Sequence, residues 1–197
     1  MAEIALIHSV LGMTPGFASA ADRLREAGHT VHVVDLFDGA APLDSYELAA
    51  ERVQKIGVPE LVGRARSAVQ SLPPDLVYGG FSLGAALSAG LAARRPGARG
   101  ALLLQGAPNP ASIGATSWPA GVPVQIHFAL GDPGRNPTWI EELGSMIRTS
   151  GSPCDVFDYP GSGHLFTDAS RPDEYDEASA ELLWNRVFEF LRNVDAS

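Results

Sequence analysis

Positive charge is scarce in this chain: 14 Lys and Arg stand against 23 Asp and Glu, giving a net charge of −9 over 197 residues. Without a basic face to neutralise phosphates, nucleic acid is not an expected partner. Cysteine is nearly missing too. The single Cys154 cannot form an internal disulfide, which fits a reducing cytoplasm. No stretch approaches the roughly 20 apolar residues of a membrane span. The opening run from Met1 to Leu6 lacks a basic segment and is too short in apolar residues for a secretory signal. Cytoplasmic location without membrane contact is therefore the expectation. There is no internal repeat and no low-complexity tail. A chain that is 45% hydrophobic and 19% charged has the composition of a soluble globular protein, and its length suits one domain spanning 1–197.

Short apolar runs alternate with helical stretches along this length. The runs at 4–7, 30–34, 76–78, 101–104, 124–130 and 154–157 read as strands. Pro15 opens a helix stopped by Gly28, and Asp44 or Ser45 caps another from Tyr46, interrupted at 57–59 and resumed to Leu72. Further helices are expected from Leu83 to Arg95, Pro137 to Thr149 and about Asp173 to Asn193. The acidic first turn of the last one suits the helix dipole. The Gly-, Pro- and Ser-rich segment 106–123 is long enough to suggest a loop folded over a site. Six alternations of strand and helix predict an α/β protein, a mostly parallel six-stranded sheet with right-handed crossovers and helices on both faces. Ligands in such sheets sit at the carboxyl ends of the strands.

The most informative stretch is Gly80-Phe81-Ser82-Leu83-Gly84. It reads G-x-S-x-G and lies between an apolar strand and an Ala/Leu-rich helix, the context of a nucleophile elbow. The turn holds the serine in a strained backbone conformation, and glycines two positions to either side leave room for it. Taken alone the pattern is weak, because a Gly-rich chain meets it by chance and a serine between glycines also serves as an ordinary N-cap. Its downstream partners decide the reading. The fifth strand delivers Asp132 and the sixth His164, so Ser, Asp and His follow in the α/β-hydrolase order. A serine hydroxyl needs an adjacent base, and the base needs an orienting acceptor. Ser82 is thus the candidate nucleophile, His164 the general base and acid, and Asp132 the orienting carboxylate. The bland alternatives are a loop histidine packed on Phe166 and a turn aspartate before Pro133, with Asp158 as substitute acid. His8, His29, His32 and His127 read as structural, and Cys154 as a small buried residue. The N–H of Leu83, at the helix start, and that of Val10, after the first strand, are the candidate oxyanion donors. Ser9, Leu11, Met13 and Phe17 are the candidate pocket wall. No metal site is expected.

These motifs, with the loop His8-Ser9-Val10-Leu11-Gly12, the run Val34-Asp35-Leu36-Phe37, Gly131-Asp132 and the stretch from Tyr159 to Phe166, resemble the dienelactone hydrolase family over nearly the whole chain. The resemblance implies a compact, cofactor-free α/β-hydrolase core without a large cap, acting on a small-molecule ester or lactone. The dienelactone enzymes use a cysteine nucleophile where Ser82 stands, and a glutamate at the position of Ser9. They also carry an arginine four residues after the histidine, to hold a substrate carboxylate; Asp168 stands there instead. A like charge beside the carbonyl predicts a preference for neutral esters, provided Arg171 does not swing into the same space. A thioesterase, another acyl hydrolase or a non-catalytic small-molecule binder on the same fold are the alternative readings. A monomer or a small homo-oligomer is expected.

Overall fold

Continuous apolar runs on short strands can bury both faces of a sheet only if helices cover each side. The computed structural model, which describes residues 1–196, has that arrangement. Its strands are β1 (Glu3–Ile7), β2 (Thr30–Val34), β3 (Val77–Phe81), β4 (Gly100–Leu104), β5 (Val124–Ala129) and β6 (Cys154–Tyr159). They form one six-stranded sheet in the order β2-β1-β3-β4-β5-β6, and every pairing is parallel. The helices are α1 (Pro15–Glu26), α2 (Tyr46–Ile56), α3 (Val58–Gln70), α4 (Leu83–Ala92), α5 (Pro137–Thr149) and α6 (Glu177–Asp195).

Successive strand residues divide between two cores. Ile4, Leu6, Val77, Leu102 and Leu104 face α1 and α6, where Leu24, Leu183, Val187 and Leu191 are buried. Ala5, Ile7, Tyr78, Leu103, Ile126 and Phe128 face α3, α4 and α5. Burying a Leu or Val side chain of this kind contributes about 1.5–3 kcal/mol, so the i, i+4, i+8 spacing of Leu183, Val187 and Leu191 is what seats α6.

Caps set the helix boundaries. Thr14 Oγ1 accepts the Phe17 N–H at 3.1 Å, with Pro15 at the first helical position. Asn136 accepts the Trp139 N–H at 3.1 Å ahead of Pro137. Asp176 accepts the Ser179 N–H at 2.7 Å, so α6 starts at Glu177, four residues later than its acidic run suggested. Asp173 and Glu174 belong to the preceding turn. The segment 106–123 also differs from expectation. Its Ile113, Trp118 and Val122 are buried in the core beside α4 and α5, so it packs on that layer more than over the sheet's carboxyl edge.

Strand order reverses between β1 and β3. Chain connections leave these neighbours in opposite directions, which opens a crevice at their carboxyl ends. The register pairs Ile7 with Gly80, so the loop after β1 and the turn after β3 emerge side by side.

Candidate active site

The turn after β3 is shaped by what it lacks. A Cβ on Gly80 would lie 2.3 Å from the Gly84 carbonyl carbon, and one on Gly84 would lie 2.2 Å from the Ile7 carbonyl oxygen. Only glycine lets α4 start so close to β1 and β3. Between them Ser82 takes φ 54° and ψ −110°, a sparsely populated region that costs on the order of 1–3 kcal/mol for a residue with a side chain. Gly106, reached through Gln105 at φ 50°, lies against the other side, where a Cβ would be 2.5 Å from the Ser82 carbonyl oxygen. The serine is thereby held up at the head of α4.

The structure brings Ser82, Asp132 and His164 together. His164 Nε2 lies 2.8 Å from Ser82 Oγ, and His164 Nδ1 lies 2.8 Å from Asp132 Oδ2 and 3.0 Å from Oδ1. The Asp132 carboxylate is wholly buried whereas the imidazole keeps 20% of its surface. Since an ionised carboxylate only accepts, Nδ1 carries the proton, and Nε2 is free to accept from the Ser82 hydroxyl. Asp132 Oδ1 also takes the Gly134 N–H at 2.7 Å, which fixes its rotamer. Asp158, the substitute acid, is turned away and paired with Arg135 at 2.9 Å.

Among the described residues, neither the Leu83 nor the Val10 N–H has a protein acceptor. The loop carrying Val10 is pinned from below by His8, which has no exposed surface. His8 Nε2 accepts the Leu36 N–H at 3.0 Å, so its proton resides on Nδ1 and is donated to the Ser9 carbonyl at 2.7 Å. Burial lowers the His8 pKa, which favours the neutral ring these two bonds require. His127 is likewise structural: burial, with Arg186 nearby, pushes it down to about 3. Burial pushes the Cys154 thiol up to about 11, which keeps it protonated and inert.

The expected pocket wall is only partly there. Leu11 has no exposed surface and belongs to the core. Its chain neighbours make this a packing position: Ser9 Oγ accepts the Leu11 N–H at 3.2 Å and folds the loop inward. Ser9, Phe17 and Asp168 do line a common space, together with Phe81 and Leu165, but its volume is about 10 Å³, room for about one water and not for an ester. Met13 is 38% exposed at the loop's outer side. Asp168 is buried because its carboxylate is engaged: Thr14 donates to it at 2.8 Å, the Ser170 N–H donates at 2.9 Å and the Ser170 hydroxyl donates as well. It lies over Gly16 at the start of α1, where a Cβ would overlap its carboxylate. Asp168 therefore ties the histidine loop to α1, and these neutral donors leave its negative charge in place. Arg171 does not swing into this space. It donates to Glu174 Oε1 at 2.6 Å and to the Asp44 carbonyl at 3.1 Å.

Two residues at the site carried no signal in the sequence. Tyr46 packs against the His164 imidazole in a T-shaped pair, with centroids 5.7 Å apart and planes at 72°. Gln105 is buried beside Ser82 with both amide atoms unpartnered among the described residues. Only its position just past β4 could have marked it. Among the described residues no three His, Cys, Asp or Glu side chains are grouped to hold a metal ion, and no helix is long and apolar enough to cross a membrane.

Residues 2–195 match the sequence profile of the dienelactone hydrolase family. The chain belongs to that family. Family members are hydrolases, and the parallel sheet with its serine elbow is the α/β-hydrolase fold. Solved structures agree on the fold. A dienelactone hydrolase-like promiscuous phosphotriesterase from metagenomic libraries superposes with a TM-score of 0.81 at 16% identity, covering 98% of this chain and 87% of that one. A thermophilic esterase from the Planctomycetes species Thermogutta terrifontis, in its propionate-bound form, gives 0.70 at 15% identity, covering 98% and 83%. The same esterase phosphonylated by cyclosarin gives 0.72 at 16%, with 98% and 83% covered. At these identities the likeness is one of fold. No curated protein matches the chain.

Proposed function

We propose that this family member is a serine hydrolase that cleaves a carboxylic ester or lactone by two-step acyl transfer. The observation that carries the reading is the continuous row from Ser82 Oγ through both nitrogens of His164 to the buried Asp132, with contacts of 2.8 Å on each side of the ring. His164 Nε2 takes the hydroxyl proton as Ser82 Oγ attacks the carbonyl carbon. The Asp132 carboxylate stabilises the imidazolium that forms. The Leu83 and Val10 N–H groups donate to the oxyanion, and the Leu83 group adds the positive end of the α4 dipole. Nε2 then protonates the departing alkoxide, leaving an acyl-Ser82 ester. Water, deprotonated by the same nitrogen, cleaves that ester and restores the hydroxyl.

The propionate bound to the Thermogutta terrifontis esterase, and its phosphonylation by cyclosarin, fit a site of this fold that takes a small acyl or phosphonyl group. The test is hydrolysis of a panel of neutral short-chain esters and lactones by the wild type and Ser82→Ala. Turnover in the wild type that disappears in the variant supports the proposal; turnover that survives the substitution overturns it.

A further inference from the structure

The row of hydrogen bonds fixes the two nitrogens of His164, but not the backbone that carries the ring. On both sides of the ring that backbone meets one residue from the turn before α6. The Leu165 N–H donates to Glu174 Oε2 at 2.7 Å. On the other side of the histidine, Gly163 lies so close to Glu174 that a Cβ would sit 2.1 Å from its carbonyl oxygen. Both chain neighbours of His164 are thus registered on Glu174. Its carboxylate also accepts from Arg171 Nε at 2.6 Å and from the Tyr46 hydroxyl at 2.9 and 3.0 Å. The Tyr46 ring packs against the imidazole in a T-shaped contact. The Arg171 guanidinium lies 4.9 Å from the Tyr46 ring centroid, over its face.

We infer that Glu174 is a positioning residue for the reaction, holding His164 in line with Ser82 by anchoring the loop on both sides of it. The inference rests on the serine-hydrolase reading above. The carboxylate is suited to the task because three donors converge on it and only an ionised carboxylate accepts from all of them. A glutamine would turn its amide N–H₂ toward either the Leu165 N–H or the Arg171 guanidinium, placing donor against donor. Shape would be kept and the anchor lost. The consequence falls on geometry: a loop that drifts by a fraction of an ångström lengthens the Ser82–His164 contact, and proton transfer depends steeply on that distance. Substrate binding, which does not use Nε2, should hardly change.

The experiment is a double-mutant cycle on a short neutral ester, using wild type, Glu174→Gln, His164→Ala and the pair, each checked for folding by circular dichroism and Tm. The expected result is a loss in kcat of about 10- to 100-fold for Glu174→Gln with KM changed by less than about threefold. In the His164→Ala background the same substitution should cost less than about twofold of the residual rate, because there is no imidazole left to position. Tyr46→Phe, which keeps the ring and removes one donor, should lose less kcat than Glu174→Gln, and it carries the same cycle if the glutamine variant does not fold. Undiminished kcat in folded Glu174→Gln overturns the inference and leaves the serine-hydrolase reading standing. An equal loss in both backgrounds also overturns it, by assigning Glu174 a role independent of His164. Full activity in His164→Ala overturns the underlying reading and the inference with it.

Discussion

The two halves of the site are held by opposite means. The elbow around Ser82 is held by backbone and by missing side chains: Gly80, Gly84 and Gly106 each face an atom that a Cβ would strike. Its parts lie within a few residues of one another or on adjacent strands of the sheet. The loop around His164 is held by side chains drawn from distant parts of the chain. Tyr46 reaches Glu174 across 128 residues, and Thr14 reaches Asp168 across 154. The elbow's shape is therefore sensitive chiefly to added atoms, whereas the loop's is sensitive also to atoms removed or changed. A rigid Ser82 facing a tunable His164 follows from this difference.

Substitutions can break the comparison at either end. The largest effect is expected from Ser82→Ala, with a loss on the order of 10⁴ to 10⁶ in kcat in the ester assay and an unchanged circular dichroism spectrum. Asp132→Asn comes next. An asparagine that accepts from Nδ1–H through its oxygen turns its N–H₂ to the Gly134 N–H, and the alternative rotamer favours the wrong imidazole tautomer. A loss of about 10³ to 10⁴ in kcat, with little change in KM, is the expected outcome of steady-state kinetics.

The glycines sharpen the contrast. Gly84→Ala forces a Cβ against the Ile7 carbonyl, inside the packing of α4 on β1, and should destabilise the fold by about 1–3 kcal/mol in a denaturant titration. Gly163→Ala meets an equally close carbonyl, that of Glu174. There the loop can shift as a unit, so stability should fall less and kcat should fall about tenfold. Similar stability losses in both variants would mean that the histidine loop is as stiff as the elbow.

The smallest effect concerns acid. Burial by itself would raise the Glu174 pKa, but the Leu165 N–H, Arg171 and Tyr46 outweigh it and hold the carboxyl below its ordinary 4.5. A carboxyl whose folded pKa is depressed stabilises the fold above its unfolded pKa and loses that contribution as pH falls through its folded value. The stability gap between wild type and Glu174→Gln should therefore be full near neutral pH and shrink below about pH 4.5. Denaturant titrations at a series of pH values read it directly, and a gap that stays constant into acid would contradict the assignment.

What the sequence made legible follows the same division. The elbow is a local pattern, and strand-loop-helix alternation places Asp132 and His164 at the carboxyl ends of their strands, so all three residues could be found from spacing. The anchor could not. Glu174 sits in an acidic run that looks like the first turn of a helix, and only the cap at Asp176 separates it. Tyr46 reads as an ordinary helix-start residue. Leu11 follows β1 in the loop and Phe17 lies in the first turn of α1, and apolar side chains there look the same whether they line a pocket or join a core. Asp168 carries a charge whose hydroxyl partners, Thr14 and Ser170, give no sign in sequence that they converge on it.

The central proposal is that Ser82 Oγ becomes acylated, and the most direct measurement is covalent labelling. The protein is incubated with a fluorophosphonate probe, its intact mass is recorded, and the modified peptide is sequenced by mass spectrometry. The account predicts a single adduct on Ser82, absent in Ser82→Ala and formed far more slowly in His164→Ala. An adduct elsewhere, or labelling undiminished by Ser82→Ala, would contradict it.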